Sequence, residues 1–336
     1  MGAELSRLGG RHQAPDTDRQ HRRSHLGAAR ALILLALAGC ATWSGPFRRT
    51  PSPEPGTAQI ALRVGGEART YLLHIPPHPP RRFTRSEPYP LIIVLHGSGA
   101  AGETVRRMSR LDSLSDTRDF VVAYPDATRN WLGLQAGWNA GDCCGAAVKN
   151  EVDDVGFLRA LVGSLSSALP IDRRRIYVAG FSDGARMAYR VGCEMSDEVA
   201  AIAVVAGSLT QRGCSPIRPI PLIAFHGTSD DEVPFADSTY SPRPRTRVET
   251  PTIVPPAVSF WAANNGCRWS QATHPSGTIH EIRFTGCRAE VAFYAVEGGG
   301  HAWPGGAPDG DDGDPPTHAL NASAELVKFF LQHPLQ

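Results

Sequence analysis

The stretch Gly180-Phe181-Ser182-Asp183-Gly184 sets a serine where an apolar run ends and a helical pattern begins. A serine hydroxyl is a weak nucleophile until an adjacent base takes its proton. A sharp strand-to-helix corner would hold Ser182 outward. The helix N-terminus beneath it would add a positive dipole and free N–H groups. Glycines on both sides keep Cβ atoms clear of the neighbouring strand and helix. G-x-S-x-G alone is a weak signal, and a buried structural turn is its bland reading. The strand–turn–helix context makes Ser182 the candidate nucleophile.

Such a serine needs a base, an acid and an anion hole. In a strand–turn–helix architecture the acid and base follow the nucleophile along the chain. HGTSDDEVPF (residues 226–235) follows an apolar run and carries Asp230 and Asp231; either could be the acid, or a turn residue. GGGHAWPGG (residues 298–306) puts His301 in a glycine-rich loop after the last strong strand, as the candidate base. Backbone N–H donors must face the developing oxyanion. Asp183, next after the nucleophile, and Ser98, in His96-Gly97-Ser98-Gly99, are the candidates. His96 itself precedes the nucleophile and reads as a structural loop residue.

The elements that must position these groups follow from the apolar pattern. Residues 60–76 read as a hairpin around Gly65-Gly66. Residues 90–97 and 120–126 read as strands buried on both faces. From Asp154 the spacing of Val155, Leu158, Leu161, Val162, Leu165 and Leu169 is helical, with Pro170 closing it. Strands over 175–180, 199–207, 220–227 and 291–298 alternate with helices over 185–195, 256–265 and the last residues from 319. Alternation of this kind predicts βαβ units, an α/β fold with a mostly parallel sheet covered by helices, and one catalytic domain over residues 58–336.

Taken together, VLHGSG, YPD, GWNAGDCCG, VDDVGFL, GFSDGARMAY, HGTSDDEVPF and GGGHAWPG resemble the extracellular polyhydroxybutyrate depolymerase family, itself similar to secreted feruloyl and acetylxylan esterases. Seven blocks occur in order over residues 60–330. The resemblance implies an α/β-hydrolase fold and triad roles for Ser182, Asp230 and His301. It implies an acyl-enzyme carboxylesterase acting on a hydroxyalkanoate oligomer or an acylated saccharide, with a feruloyl or acetylxylan esterase as the alternative. One departure stands out. Ala185 follows Gly184 where relatives commonly have a second glycine, so the packing under the elbow is expected to differ. A non-catalytic ligand-binding lipoprotein is the reading from another class; the presence of all three triad residue types speaks against it.

The chain has 336 residues, 41% hydrophobic and 20% charged, enough for a sizeable core. Its net charge of +1 argues against nucleic acid as partner. The polar, arginine-bearing residues 1–30 lead into ALILLALAG, too short to span a bilayer but suited to the apolar region of a signal peptide. Leu37-Ala38-Gly39-Cys40 resembles a lipobox, with residues 1–39 removed and Cys40 lipidated. Residues 40–57 would then be a proline-rich tether, and the lipid the only membrane contact. An exported monomer, lipid-anchored at the cell envelope or extracellular, is expected. Six cysteines follow residue 40, an even number behind an export signal. Of the 15 possible connectivities, Cys267 with Cys287 across a hairpin-like segment and Cys193 with Cys214 across a βα unit are expected; Cys143 and Cys144 are left, to pair with each other or each elsewhere, which would shift the whole map. No Cys-x-x-Cys or His-rich spacing accompanies them, so neither a metal site nor a cofactor is expected. Trp131, Trp138 and Trp303 could form an aromatic wall at the site or pack in the core. DGDDGDPP (residues 309–316) could hold calcium, though a solvated acidic loop is favoured. Asp153-Asp154 reads as helix capping.

Overall fold

The computed structural model describes residues 55–77, 88–129, 136–143, 145–236, 254–310 and 313–336. Cys40, Trp131, Cys144, and the leader and tether up to residue 54 lie outside them. Of the two compact units, Met1–Arg49 and Thr50–Gln336, the described residues belong to the second.

The chain runs β1 (Gly56–Val64), β2 (Glu67–Ile75), β3 (Tyr89–Leu95), α1 (Gly102–Ser109), α2 (Leu111–Arg118) and β4 (Val121–Pro125). A short ribbon, β5 (Thr128–Arg129) with β6 (Ala136–Gly137), precedes α3 (Gly145–Lys149), α4 (Asp154–Ala168), β7 (Ile171–Phe181) and α5 (Asp183–Glu194). Then come β8 (Ala201–Val205), β9 (Leu222–Gly227), α6 (Pro256–Asn264), β10 (Trp269–Ser276), β11 (Ile279–Thr285), β12 (Val291–Val296) and α7 (Ala322–Gln332).

Ten strands form one sheet in the order β1-β2-β4-β3-β7-β8-β9-β12-β11-β10. The central six, β4 to β12, pair in parallel, and antiparallel hairpins extend both edges. β3 and the second half of β7, from Ile176 to Phe181, read as continuous apolar runs because both their faces are covered. Leu91, Ile93, Leu95 and Val178 pack with α4, α5 and α6 on one face. Ile92, Val94, Tyr177 and Ala179 pack with α1, α2 and α7 on the other. Each large side chain so buried is worth about 1.5–3 kcal/mol.

Helix ends follow from local chemistry. Asp153 caps α4 through Oδ1, which accepts the Gly156 N–H at 2.8 Å. Asn321 caps α7 in the same way, accepting from Ala324 N at 2.9 Å. Asp154, read with Asp153 as capping, does something else. It is fully buried and accepts from Arg69 Nη2 at 2.8 Å and from Asn139 N at 2.7 Å. The guanidinium of Arg69 also lies 4.0 Å from the centre of the Phe157 ring. Trp138 (0% exposed) and Trp303 (1%) are core residues and not a substrate wall; each indole N–H finds a partner, His96 O and Ser323 Oγ.

Cys193 is bridged to Cys214, tying the end of α5 to the segment after β8, and Cys267 to Cys287 at the base of the β10–β11 hairpin. Cys143 is also disulfide-bonded; Cys144, its expected partner, lies outside the described residues. Closing loops of these lengths, 21 and 20 residues, is worth about 3 kcal/mol each on a chain-entropy account.

The parallel register aligns strand ends: Leu95 with Gly180, Phe181 with Val205, Val205 with Phe225, and Gly227 with Val296. From β3 the chain goes to β4 on one side, then returns to β7 on the other. Such a reversal opens a crevice beyond the carboxyl ends of the two strands. The loops carrying Ser98, Ser182, Asp230 and His301 all leave this edge.

Candidate active site

Ser182 occupies the corner between β7 and α5 with φ 55° and ψ −117°. That is a region an L-residue enters only when its surroundings compel it, at a cost of about 1–3 kcal/mol. The surroundings are visible. A Cβ on Gly180 would lie 2.0 Å from Gly184 O, and one on Gly184 would lie 2.2 Å from Leu95 O. β7, β3 and α5 therefore converge more closely than any side chain permits. Ser182 N donates to Val205 O at 3.0 Å, and Ser182 O accepts from Ala185 and Arg186. The backbone is fully engaged and the half-buried side chain is left to point from the edge.

Ala185, the departure from the family pattern, rests against Gly207. A Cβ at Gly207 would be 2.4 Å from Ala185 Cβ and 3.2 Å from Ser182 O. The methyl missing at one position makes room for the methyl at the other.

The loop after β9 and the loop after β12 meet each other. His301 Nδ1 and Asp230 Oδ2 are 2.9 Å apart, both residues buried. A carboxylate accepts, so Nδ1 carries the proton and Nε2 keeps its lone pair. Asp230 Oδ1 accepts from the N–H groups of Glu232 (3.1 Å) and Val233 (2.8 Å), and His226 Nε2 lies 3.3 Å from Oδ2. Burial pushes the Asp230 carboxyl up, but the bonds from His226, His301 and Val233 outweigh it and hold it well below the usual carboxylate range. Asp231 is exposed. The structure thus brings Asp230, and not Asp231, to His301.

The imidazole is held from two further sides. Its ring centre is 4.8 Å from that of Phe181, the residue before the serine. The His301 backbone N–H donates to Asp314 Oδ2 at 2.6 Å. Part of the acidic loop is therefore a buttress for His301. Among the described residues, no group of three or more His, Cys, Asp or Glu side chains is placed to hold a metal ion. His301 Nε2 lies 3.7 Å from Glu232 Oε2, and among the described residues it makes no hydrogen bond with Ser182. Such bonds are often long before substrate arrives.

On the other side of Ser182 runs the loop after β3. A Cβ at Gly97 would lie 3.3 Å from Ser182 Cβ, so this backbone passes beside the elbow. Ser98 follows Gly97 on this loop and Asp183 follows Ser182 on α5; neither N–H is among the loop and turn bonds to backbone carbonyls of the described residues. His96 is fully buried and structural. Nε2 accepts from Ala127 N at 3.0 Å, so Nδ1–H donates to Gly97 O at 2.7 Å. Burial pulls its imidazole below the ordinary value and keeps it neutral. A cleft of about 520 Å³ opens beside Ser98, bordered by Arg129, Gly137, Asn150, Glu151 and Phe157.

A strained serine at a strand–helix corner, with a hydrogen-bonded Asp and His on later loops of a mostly parallel sheet, defines the α/β-hydrolase class. Comparison with known proteins narrows this. The model of the family described as "Esterase PHB depolymerase" matches residues 70–254, over half the chain, and the chain belongs to that family of carboxylesterases. It is 31% identical over 279 residues to "Putative esterase NocK" of Nocardia uniformis subsp. tsuyamanensis, covering 78% of each chain. It is also 31% identical over 236 residues to feruloyl esterase B of Piromyces equi, which covers 66% of this chain and 41% of that protein. Among solved structures, acetyl xylan esterase from Aspergillus awamori superposes with a TM-score of 0.53 at 14% identity, over 81% of this chain and 98% of that one. That likeness supports the fold alone.

Arg69 and His226 carry no sequence signal as site supports; Trp138 and Asp314 do stand out in the sequence, but as an aromatic wall and part of an acidic loop and not as the supports they are. The pair Asp153-Asp154 carried a signal: one acid more than a cap requires.

Proposed function

We propose that the protein is a serine carboxylesterase working through an acyl-enzyme on Ser182. The observation that carries this is the buried hydrogen bond of His301 with Asp230, presented on the sheet edge where the strained Ser182 turn lies. His301 Nε2 takes the Ser182 hydroxyl proton as Oγ attacks the ester carbonyl carbon. The oxyanion is received by the N–H groups of Asp183 and Ser98. His301 then gives its proton to the departing alkoxide, leaving the acyl group on Ser182. Water repeats the sequence, with its proton passing to His301, and releases the acid. Asp230 keeps Nδ1–H oriented and stabilises the imidazolium.

The names of the curated relatives favour a feruloyl ester, and the family name a hydroxyalkanoate oligomer; both are esters this machinery can cleave. We read residues 1–39 as a signal peptide, Cys40 as its lipidated end, residues 40–57 as the tether and residues 58–336 as the catalytic domain. Among the described residues no helix is long and apolar enough to cross a membrane.

A fluorophosphonate probe should label the wild type at Ser182, and Ser182→Ala should lose labelling and all but about one thousandth of kcat on p-nitrophenyl butyrate. Retention of more than about a tenth of kcat would remove Ser182 from the role. Hydrolysis of methyl ferulate, acetylated xylan and hydroxybutyrate oligomers compared side by side identifies the acyl group. Cys40→Ser should move activity from the membrane to the soluble fraction; a wild type already soluble refutes the anchor.

A further inference from the structure

The side chain of Asp183 is not used by the chemistry just described, which calls only on its backbone N–H. It is nevertheless 1% exposed, one residue from the nucleophile. Oδ2 accepts the Trp138 N–H at 2.9 Å, while Oδ1 is buried with no hydrogen-bond partner among the described residues. Leaving a carboxyl oxygen buried and unpaired is costly. A position that served packing alone would be better filled by an apolar or fully paired residue.

Trp138 leads back across the site. Its Nε1–H donates to His96 O at 2.9 Å, and Gly99 N donates to Ala136 O at 2.8 Å. His96 is in turn locked to Ala127 and Gly97. The segment 136–138 is thus bonded on one side to the loop that presents Ser98 and on the other to the helix that presents Asp183. Resting on the reading of Ser182 as nucleophile, we propose that the Asp183 carboxyl and Trp138 form a strut that sets the distance between the two oxyanion-binding N–H groups. In its side chain, Asp183 is a positioning residue.

The strut is separable from the fold. The next residue, Asn139, is held independently, by Asp154 through its N–H and by Arg190 through its carbonyl. Loss of the Asp183 carboxyl leaves that anchorage and removes the link to the elbow. Burial pushes the carboxyl up to about 6, against the Trp138 hydrogen bond and Arg186, with Asp154 adding to the rise. Stability alone does not account for keeping an acid there.

The test compares Asp183→Ala, Asp183→Asn and wild type on p-nitrophenyl butyrate, with fluorophosphonate labelling and thermal unfolding in parallel. Asp183→Ala should lower kcat by at least about tenfold while KM changes less than about threefold, because the loss falls on the oxyanion and not on ground-state binding. The inhibition constant of a trifluoromethyl ketone, whose adduct carries the oxyanion, should rise by a similar factor. Asp183→Asn keeps an oxygen acceptor for Trp138 N–H and should recover to within about threefold of wild-type kcat. Should Asp183→Ala not fold, Trp138→Phe removes the indole donor to His96 and should lower kcat with KM held. An unchanged kcat in Asp183→Ala, or in Trp138→Phe where that variant is used, overturns the strut, as does an Asp183→Asn variant as slow as Asp183→Ala. A wild type that the probe does not label at Ser182 sinks the nucleophile reading instead, so the two failures are told apart.

Discussion

The Nδ1 atom of His301 lies 2.9 Å from Oδ2 of Asp230, 71 residues earlier, while the neighbouring Asp231 faces solvent. Two chemically identical side chains at adjacent positions are thereby given different tasks. Asp230→Asn would present an amide to Nδ1, favour the wrong tautomer and leave Nε2 protonated. We expect kcat to fall on the order of 10³–10⁴-fold. Asp231→Asn should stay within about threefold of wild type, as surface substitutions usually do. Steady-state kinetics of the two variants decide it, and the reverse ranking would transfer the role to Asp231.

Asp183 makes stability depend on pH in a direction opposite to most carboxylates. Its ordinary value is 3.8 and burial raises it to about 6 in the fold. Between those values the native state keeps a proton that the unfolded chain has released. Stability is therefore greatest below about pH 4 in this respect and declines as pH rises to about 6. Asp183→Asn lacks that decline. Relative to wild type it should gain roughly 2–3 kcal/mol between pH 4 and pH 7. Urea unfolding at both pH values measures the difference; a pH-independent offset would show that the buried carboxyl is not carrying the cost.

Gly300 and Asp314 hold the base in place. A Cβ at Gly300 would lie 2.1 Å from Asp314 Oδ2, the oxygen that accepts the His301 N–H. Gly300→Ala should push Asp314 away, free the His301 backbone and lower kcat by about tenfold or more, since displacements of about 1 Å at a reacting group have large effects. Asp314→Asn retains an acceptor and should be milder than Asp314→Ala. Equal activity of Gly300→Ala and wild type would mean that the His301 loop does not depend on this contact.

Ala185 and Gly207 should behave as a coupled pair. Gly207→Ala places two methyl carbons 2.4 Å apart and should destabilise by about 1–3 kcal/mol. Ala185→Gly in the same chain should recover most of that loss. A double-mutant cycle by thermal or urea unfolding reads the coupling directly. Additive effects would show that the backbone under the elbow yields to accommodate both methyls.

Much of the molecule was legible along the chain. The apolar runs at β3, β4, β7, β8, β9 and β12 announced strands buried on both faces, because a parallel sheet covered by helices has no polar face to alternate with. α4 and α5 showed their spacing, and the glycines around Ser182 marked a corner. α1 and α2 did not announce themselves: GETVRRMS and LDSLSDTR are mostly polar and break at Arg110, with φ 54°. Each is eight residues long with two apolar side chains three apart, Val105 and Met108 in α1 and Leu111 and Leu114 in α2, too short a run to announce a helix by apolar spacing.

The sequence by itself determined which residue types could do the chemistry, their order along the chain, and the elements whose ends would carry them. These are local properties, set by spacing and by backbone preference within a turn or a strand. Only the tertiary structure decided that Asp230 and not Asp231 meets His301. It also decided that Asp154 pairs with Arg69 85 residues earlier, that Trp138 and Trp303 are core, and that Asp183 reaches Trp138 45 residues away. The physical reason is the same in each case. A buried polar atom must find its partner wherever packing brings one, and which atoms are brought together depends on how strands distant in the chain are ordered in the sheet.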